Sequence, residues 1–244
     1  MDIRYKIFCC THIDTKTVDE ELYQLLQTGR AFDQKILAGM PGDDTGENIS
    51  KWKDIYDGFL TGLYWIWKNT EYDVVGICGY RSYLGLDEFH PLKLADIRRL
   101  FEEEGAGFVV VRENCDGETV EEHFRRYHTP FYYEYLHDPW MYMREVVKCR
   151  CPEYIDALEA VLGQTAYNHR NMLIAKREYF DAYCQWLFGL LSDYKLYLEK
   201  RNYSIPPRFF GYVAERLQRV WLLKQNIRVK ELNVVLVSGR NQGI

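Results

Sequence analysis

Two short runs constrain the fold of this chain more than anything else in it. Val74-Val75-Gly76-Ile77-Cys78 and Phe108-Val109-Val110-Val111 are apolar at successive positions, not at alternate ones. A strand that is apolar on both sides needs cover on both faces, as a sheet between helices provides. The chain around these runs alternates. Residues 5–10 read as a strand ending at Thr11-His12, and 18–26 as a helix with Leu22, Leu25 and Leu26 on one face. Over 55–67 apolar residues recur at helical spacing, with Ser50 read as the cap of that helix. Helices are expected over 92–104, 118–127, 133–147, 152–162, 178–198 and 210–223. Short strands are expected over 172–174 and 232–237. Strands alternating with helices early, then helices dominating, argue for an α/β sheet with a helix-rich C-terminal half. A length of 244 residues admits one domain or two. A single domain over 1–244 is the better reading, the alternative being a division near 128–150.

Composition narrows the class. Hydrophobic residues make up 47% and charged residues 27%, as in an ordinary globular chain rather than a disordered or fibrous one. Twenty Tyr, 12 Phe and 6 Trp are an excess, and stripes over 55–67, 179–194 and 209–221 assign most of it to core. No run of about 18 apolar residues exists to span a bilayer, and the N-terminus lacks the apolar stretch of a signal peptide. The expected compartment is the cytoplasm, where the seven irregularly placed Cys would be free thiols. The net charge of −5 argues against a nucleic-acid partner. From Lys200 onward, nine Lys/Arg face two Asp/Glu, a local +7. That segment suits phosphates or an anionic membrane surface, or is a solvated face.

Ligands of open α/β sheets bind at the carboxyl ends of strands. Thr11-His12 is one such place, able to hold a base or ribose, or merely to cap the strand. Gly79-Tyr80-Arg81-Ser82-Tyr83 is another. Its Arg suits a phosphate, and the bland alternative is a surface turn with a salt bridge. The loop 42–48, with Asp44 and Asn48, could hold a cation or orient a sugar hydroxyl, though it lacks the EF-hand pattern. Tyr64 and Lys68 share a helix face. Cys149-Arg150-Cys151 has no second pair to complete a zinc site. Dinucleotide, phosphate-loop and nucleophile-elbow patterns do not occur. Glu215-Arg216 inside an apolar helix is either a structural ion pair or a site.

Six segments carry a more specific signal: KIFCCTH (6–12), DDTGENIS (43–50), LTGLYWIWKN (60–69), VVGICGYRSYL (74–84), NMLIAKREYFDAYCQWLFGLL (171–191) and RFFGYVAERLQRVWL (208–222). In order and spacing they resemble a family encoded among capsular and exopolysaccharide biosynthesis genes and regarded as glycosyltransferases. The resemblance implies a GT-A-like, Rossmann-type mixed sheet. It also implies a nucleotide-sugar donor, UDP-sugar foremost, and transfer of a sugar such as galactose or galactofuranose. The acceptor would be a growing glycan or glycolipid at the inner face of the membrane. On this reading Glu215 and Asp44 are the candidate catalytic carboxylates, Glu215 foremost because desolvation would raise its pKa. Substrate would meet Thr11, His12, Asn48, Tyr64, Trp65, Lys68, Tyr80, Arg81, Tyr83, Asn171, Arg208 and Arg216. Arg81, Arg208 and Arg216 would neutralise the leaving diphosphate. Relatives usually carry His-Tyr-Arg-Arg-Tyr where this chain has Gly79-Tyr80-Arg81-Ser82-Tyr83. That departure leaves open a catalytically impaired sugar-nucleotide or glycan-binding protein of the same fold, and the basic C-terminal segment leaves open a structural partner in a polysaccharide assembly complex. A divalent cation, Mn or Mg, is common in GT-A enzymes, yet none of the 16 Asp form an Asp-x-Asp pair.

Overall fold

The computed structural model describes residues 2–33, 35–132 and 138–237, the side chains of 129–132 excepted. A mixed sheet forms its centre. Strands β1 (Tyr5–Thr11), β2 (Tyr23–Gln27) and β3 (Val74–Gly79) are parallel, with β1 in the middle of the three. β4 (Ser82–Gly85) turns back from β3 after two residues, Tyr80 and Arg81. β5 (Phe108–Val111) follows, and then the separate two-stranded ribbon of β6 (Glu113–Asn114) and β7 (Ala166–Tyr167). β8 (Leu173–Lys176) runs antiparallel between β3 and β5. β9 (Val229–Leu236) joins β5 to β4, parallel to the first and antiparallel to the second.

Side-chain alternation along these strands builds two cores. Phe8, Cys10, Val75, Ile77, Phe108, Val110, Leu173 and Ala175 point to one face. Ile7, Cys9, Val74, Cys78, Val109, Val111 and Ile174 point to the other. The first face carries most of the helices: α2 (Lys53–Asn69), α4 (Val120–Tyr132), α5 (Pro139–Arg150), α6 (Ile155–Leu162), α7 (Arg177–Glu199) and α8 (Phe209–Leu223). The four-residue α1 (Arg30–Asp33) precedes them. The second face is covered by α3 (Leu94–Arg98), its continuation over Arg99–Glu103, and the residues leading into β2. The helix-rich second half thus folds back over one side of a sheet begun by the first half.

Three expectations need correction. Residues 18–26 are not a helix. Asp19 Oδ1 accepts the N–H groups of Glu21 and Leu22 in a turn, and Tyr23–Gln27 is then drawn into parallel pairing with β1. Apolar residues at 22, 25 and 26 fit either period over so short a run, and tertiary pairing decides. Ser50 does not cap the helix that follows it; its buried hydroxyl donates to Asp43 Oδ1 (2.6 Å) and accepts from Ala31 N (3.0 Å) in the first turn of α1. The stripe over 55–67 is broken at Asp57 (φ 63°, ψ 170°), whose Oδ1 accepts from Phe59 N (2.7 Å) and Leu60 N (3.3 Å). Asp57 therefore caps the long part of α2. Residues 133–137 of the expected 133–147 helix lie outside the described residues.

β3 has no room for a larger residue at its centre. A Cβ on Gly76 would lie 2.7 Å from Ile174 Cγ1 and 2.8 Å from the main-chain oxygen of Leu173. A backbone oxygen fixed in a ladder cannot withdraw, so Gly76→Ala is expected to cost about 1–3 kcal/mol. Urea unfolding measures it, and an unshifted midpoint would refute the packing argument.

Candidate functional site

A cavity of about 640 Å³ opens where β1, β2 and β3 end. Its lining comes from each parallel strand in turn: Cys10, Thr11 and His12 at the end of β1, Thr28 after β2, and Gly79, Tyr80, Arg81 and Ser82 around the β3–β4 turn. Lys53, Asp54, Asp57 and Phe59 come from α2, and Arg170, Pro207 and Arg208 from the connections into β8 and α8. Parallel strands end together, so their following loops converge on one edge; that is why segments far apart in sequence meet here.

Cations dominate the lining. Arg81 and Arg170 are exposed, and among the described residues neither makes an ion pair. The Arg81 guanidinium lies over the Tyr80 ring at 4.9 Å, and Arg170 Nη1 lies 3.4 Å from Ser82 Oγ. Lys53 pairs with Asp33, and Arg208 approaches Asp57 Oδ2 at 3.9 Å. His12 and Tyr80 meet edge to face, 5.7 Å between centroids. Asp57, Arg170 and Arg208 have φ of 63°, 67° and 61°, three of the six non-glycine residues in the left-handed region among those described. Such strain is held only where the surroundings enforce it, and it gathers here at the cavity.

Asp54 and Asp57 are the lining carboxylates that sequence reasoning missed, and Asp57 is the one held by a helix cap. Burial raises its pKa, and the Arg208 charge and the Phe59 and Leu60 N–H groups oppose that rise. α8 comes so close that a Cβ on Gly211 would lie 2.4 Å from Asp57 Oδ2. The only trace in the sequence is Asp followed by Gly inside a helical stripe, a pattern that reads as a cap once the helix is known to break there.

The anticipated site residues divide into three groups. Thr11, His12, Tyr80, Arg81 and Arg208 line the cavity. The Thr11 hydroxyl is spent locally, donating to Ile13 O and accepting from Ile13 N. Asp44, Asn48, Tyr64, Trp65 and Lys68 are not in the lining; Tyr64, Trp65 and Lys68 hold the 42–50 loop against α2, Asp44 ties it to α1, and Asn48 bonds within it. Tyr64 donates to Glu47 Oε1 (2.8 Å), Lys68 pairs with the same atom (3.2 Å), and Trp65 Nε1 donates to Thr45 O (3.0 Å). Asp44 accepts from Arg30 Nε (2.6 Å), and Asn48 Nδ2 donates to Gly46 O. Tyr83 is buried on the opposite face of the sheet, against Tyr23.

Glu215, Arg216 and Asn171 form the third group, behind the cavity wall. Glu215 Oε1 accepts from Arg170 N (3.0 Å), and Glu215 Oε2 from Arg216 Nη1 (2.9 Å). The Arg216 side chain is 1% exposed, over the Tyr167 ring and beside His123, so it cannot reach a ligand in the cavity. Asn171 Nδ2 donates to Gly211 O. Burial pushes the Glu215 carboxyl up to about 7, with Asp57 and Glu113 adding to the rise and Arg216 and the Arg170 N–H opposing it. Much of the basic C-terminal charge is also spent internally: Arg219 pairs with Glu231, and Lys230 with Glu104.

Residues 6–226 match the model of the family described as "Domain of unknown function (DUF4422)". The chain belongs to the DUF4422 family. No curated protein matches this DUF4422 chain. Among solved structures it is similar to the apo structure of the WbbM bifunctional glycosyltransferase, with a TM-score of 0.80 and 26% identity. The similarity covers 96% of this chain and 45% of that one, so the chain spans a little under half of the length of its structural relative. No helix among the described residues is long and apolar enough to cross a membrane.

The Glu215 shift has a thermodynamic consequence. A carboxyl whose pKa is higher folded than unfolded stabilises the fold at low pH and loses that contribution as pH rises through the folded value. Between pH 5 and pH 8 the parent protein is therefore expected to lose about 2–3 kcal/mol relative to Glu215→Gln. Denaturant unfolding of both at the two pH values measures this, and a pH-independent difference would refute it.

Proposed function

We propose that this chain is a glycosyltransferase with a GT-A-like, Rossmann-type fold. It moves a sugar, with galactose or galactofuranose the first candidates, from a UDP-sugar to a growing capsular or exopolysaccharide glycan or its glycolipid precursor. The place of action is the cytoplasmic face of the membrane. The observation that carries this reading is the cavity, at the ends of three parallel strands, with Arg81 and Arg170 free of carboxylate partners among the described residues and with Asp54 and Asp57 in the same lining. Its volume of about 640 Å³ is within the range of small-molecule sites. The similarity in fold to a bifunctional glycosyltransferase supports the same reading.

Sugar transfer requires that the leaving diphosphate be neutralised and that the acceptor hydroxyl lose a proton. Arg81, Arg170 and Arg208 supply the positive charge, guanidinium groups being suited to paired phosphate oxygens. The edge-to-face pair of His12 and Tyr80 offers a flat surface for the base or the sugar. Asp57 takes the proton. Its Oδ1 is fixed by two backbone N–H groups, and burial makes the carboxylate a better base than an exposed one. Among the described residues no three His, Cys, Asp or Glu side chains converge as a resident cation needs. An ion shared with the donor phosphates needs only one or two carboxylates, so Asp54 and Asp57 of the lining would be the groups to hold Mn or Mg, and the guanidinium groups supply positive charge beside them.

Asp57→Asn keeps an oxygen for the helix cap and tolerates the left-handed backbone. It is expected to lower kcat with the UDP-sugar by at least about 100-fold, while UDP affinity by calorimetry stays within about threefold of the parent. Undiminished turnover would remove Asp57 from the role of base. A parent protein that binds UDP-sugars and neither transfers nor hydrolyses them would make the chain a sugar-nucleotide-binding protein instead.

A further inference from the structure

We infer that Glu215 is a positioning residue that aims Arg170 into the cavity, and that it is not the base of the reaction. This rests on the donor reading of the cavity given above. Arg170 and Asn171 are consecutive left-handed residues, φ 67° and 54°, in the turn that enters β8. Neither is glycine, so the turn is strained and something outside it must hold it. α8 does so at two points. Glu215 Oε1 accepts the Arg170 N–H, and the Gly211 carbonyl accepts from Asn171 Nδ2. From a backbone fixed in this way the Arg170 side chain crosses to the β3–β4 turn, where Nη1 meets Ser82 Oγ and joins Arg81 in the lining.

The second oxygen of Glu215 is held as firmly as the first. Oε2 accepts from Arg216, whose guanidinium is itself fixed by Tyr212 O and by the Tyr167 and Phe124 rings. With one oxygen on the Arg170 N–H and the other on Arg216, both oxygens of the carboxylate are engaged outside the lining. A base must reach the proton it removes, and this one is absent from the cavity wall while the backbone of a cavity cation hangs from it. The route from Glu215 to ligand therefore runs through Arg170.

A double-mutant cycle on UDP and inorganic pyrophosphate binding, read by calorimetry, tests this. Glu215→Ala and Arg170→Ala are each expected to weaken both ligands about tenfold. The double variant should match either single variant, because Glu215 has nothing left to aim once the Arg170 side chain is gone. Glu215→Gln retains an oxygen for the Arg170 N–H and is expected to bind within about threefold of the parent and to keep its kcat. Both variants take the carboxylate from Arg216 and leave it Tyr212 O, so the comparison of Glu215→Gln with Glu215→Ala isolates the acceptor of the Arg170 N–H. Additive losses in the cycle, or a Glu215→Gln protein that binds UDP normally and has lost turnover, would overturn the positioning role. A parent protein that binds neither UDP nor pyrophosphate would overturn the donor reading itself. Parental binding by Glu215→Ala would overturn the positioning role alone.

Discussion

Everything in this molecule depends on burying the central strands from both sides. β1, β3, β5 and β8 send successive side chains into two different cores, so neither face of the sheet can be left to water. Each methylene taken out of water contributes about 0.8 kcal/mol, and the strands alone contribute eight apolar residues to the helical face. Covering that face takes most of the helices and brings α2 and α8 against the carboxyl ends of the strands. The cavity is the space left where the strands stop and the two helices begin.

That arrangement explains why strain and charge gather in one place. α8 starts from a left-handed Arg208, whose N–H donates to Asp54 O, and passes Gly211 tightly against the Asp57 carboxylate. One helix entry thus fixes a carboxylate of α2 and, through Glu215 and Gly211, the turn that presents Arg170. Arg170 reaches the Ser82 hydroxyl from another segment and so brings a second guanidinium to the β3–β4 turn beside Arg81.

Two of the sequence motifs turn out to serve each other. The aromatic and polar groups of 64–69 hold the carbonyls and the carboxylate of 45–47: Trp65 on Thr45, Tyr64 and Lys68 on Glu47, Asn69 on the Glu47 carbonyl. Asp43, fully buried, ties the start of the same loop to Gly29, Arg30 and Ser50. Residues that read as sugar contacts from their flat faces and polar edges are in fact spent on shaping a loop. Their chemistry suits either use, and only the partner each one finds distinguishes them.

The sequence alone determined the elements with strong periodicity: the doubly apolar strands, the long helix over 178–198, and the stripe of 210–223. It also pointed to the strand ends after Thr11 and Gly79, which line the cavity, because strand direction and the place of such clefts are linked in this class of sheet. It could not determine β2, since five residues carry too little periodic signal to resist being paired. Nor could it separate Asp57 from its helix or say which groups Glu215 meets, for a carboxylate's partners depend on what surrounds it. Tertiary structure made those decisions. It broke α2 at Asp57, turned Glu215 toward a main-chain N–H, and buried Arg216 where no ligand can follow.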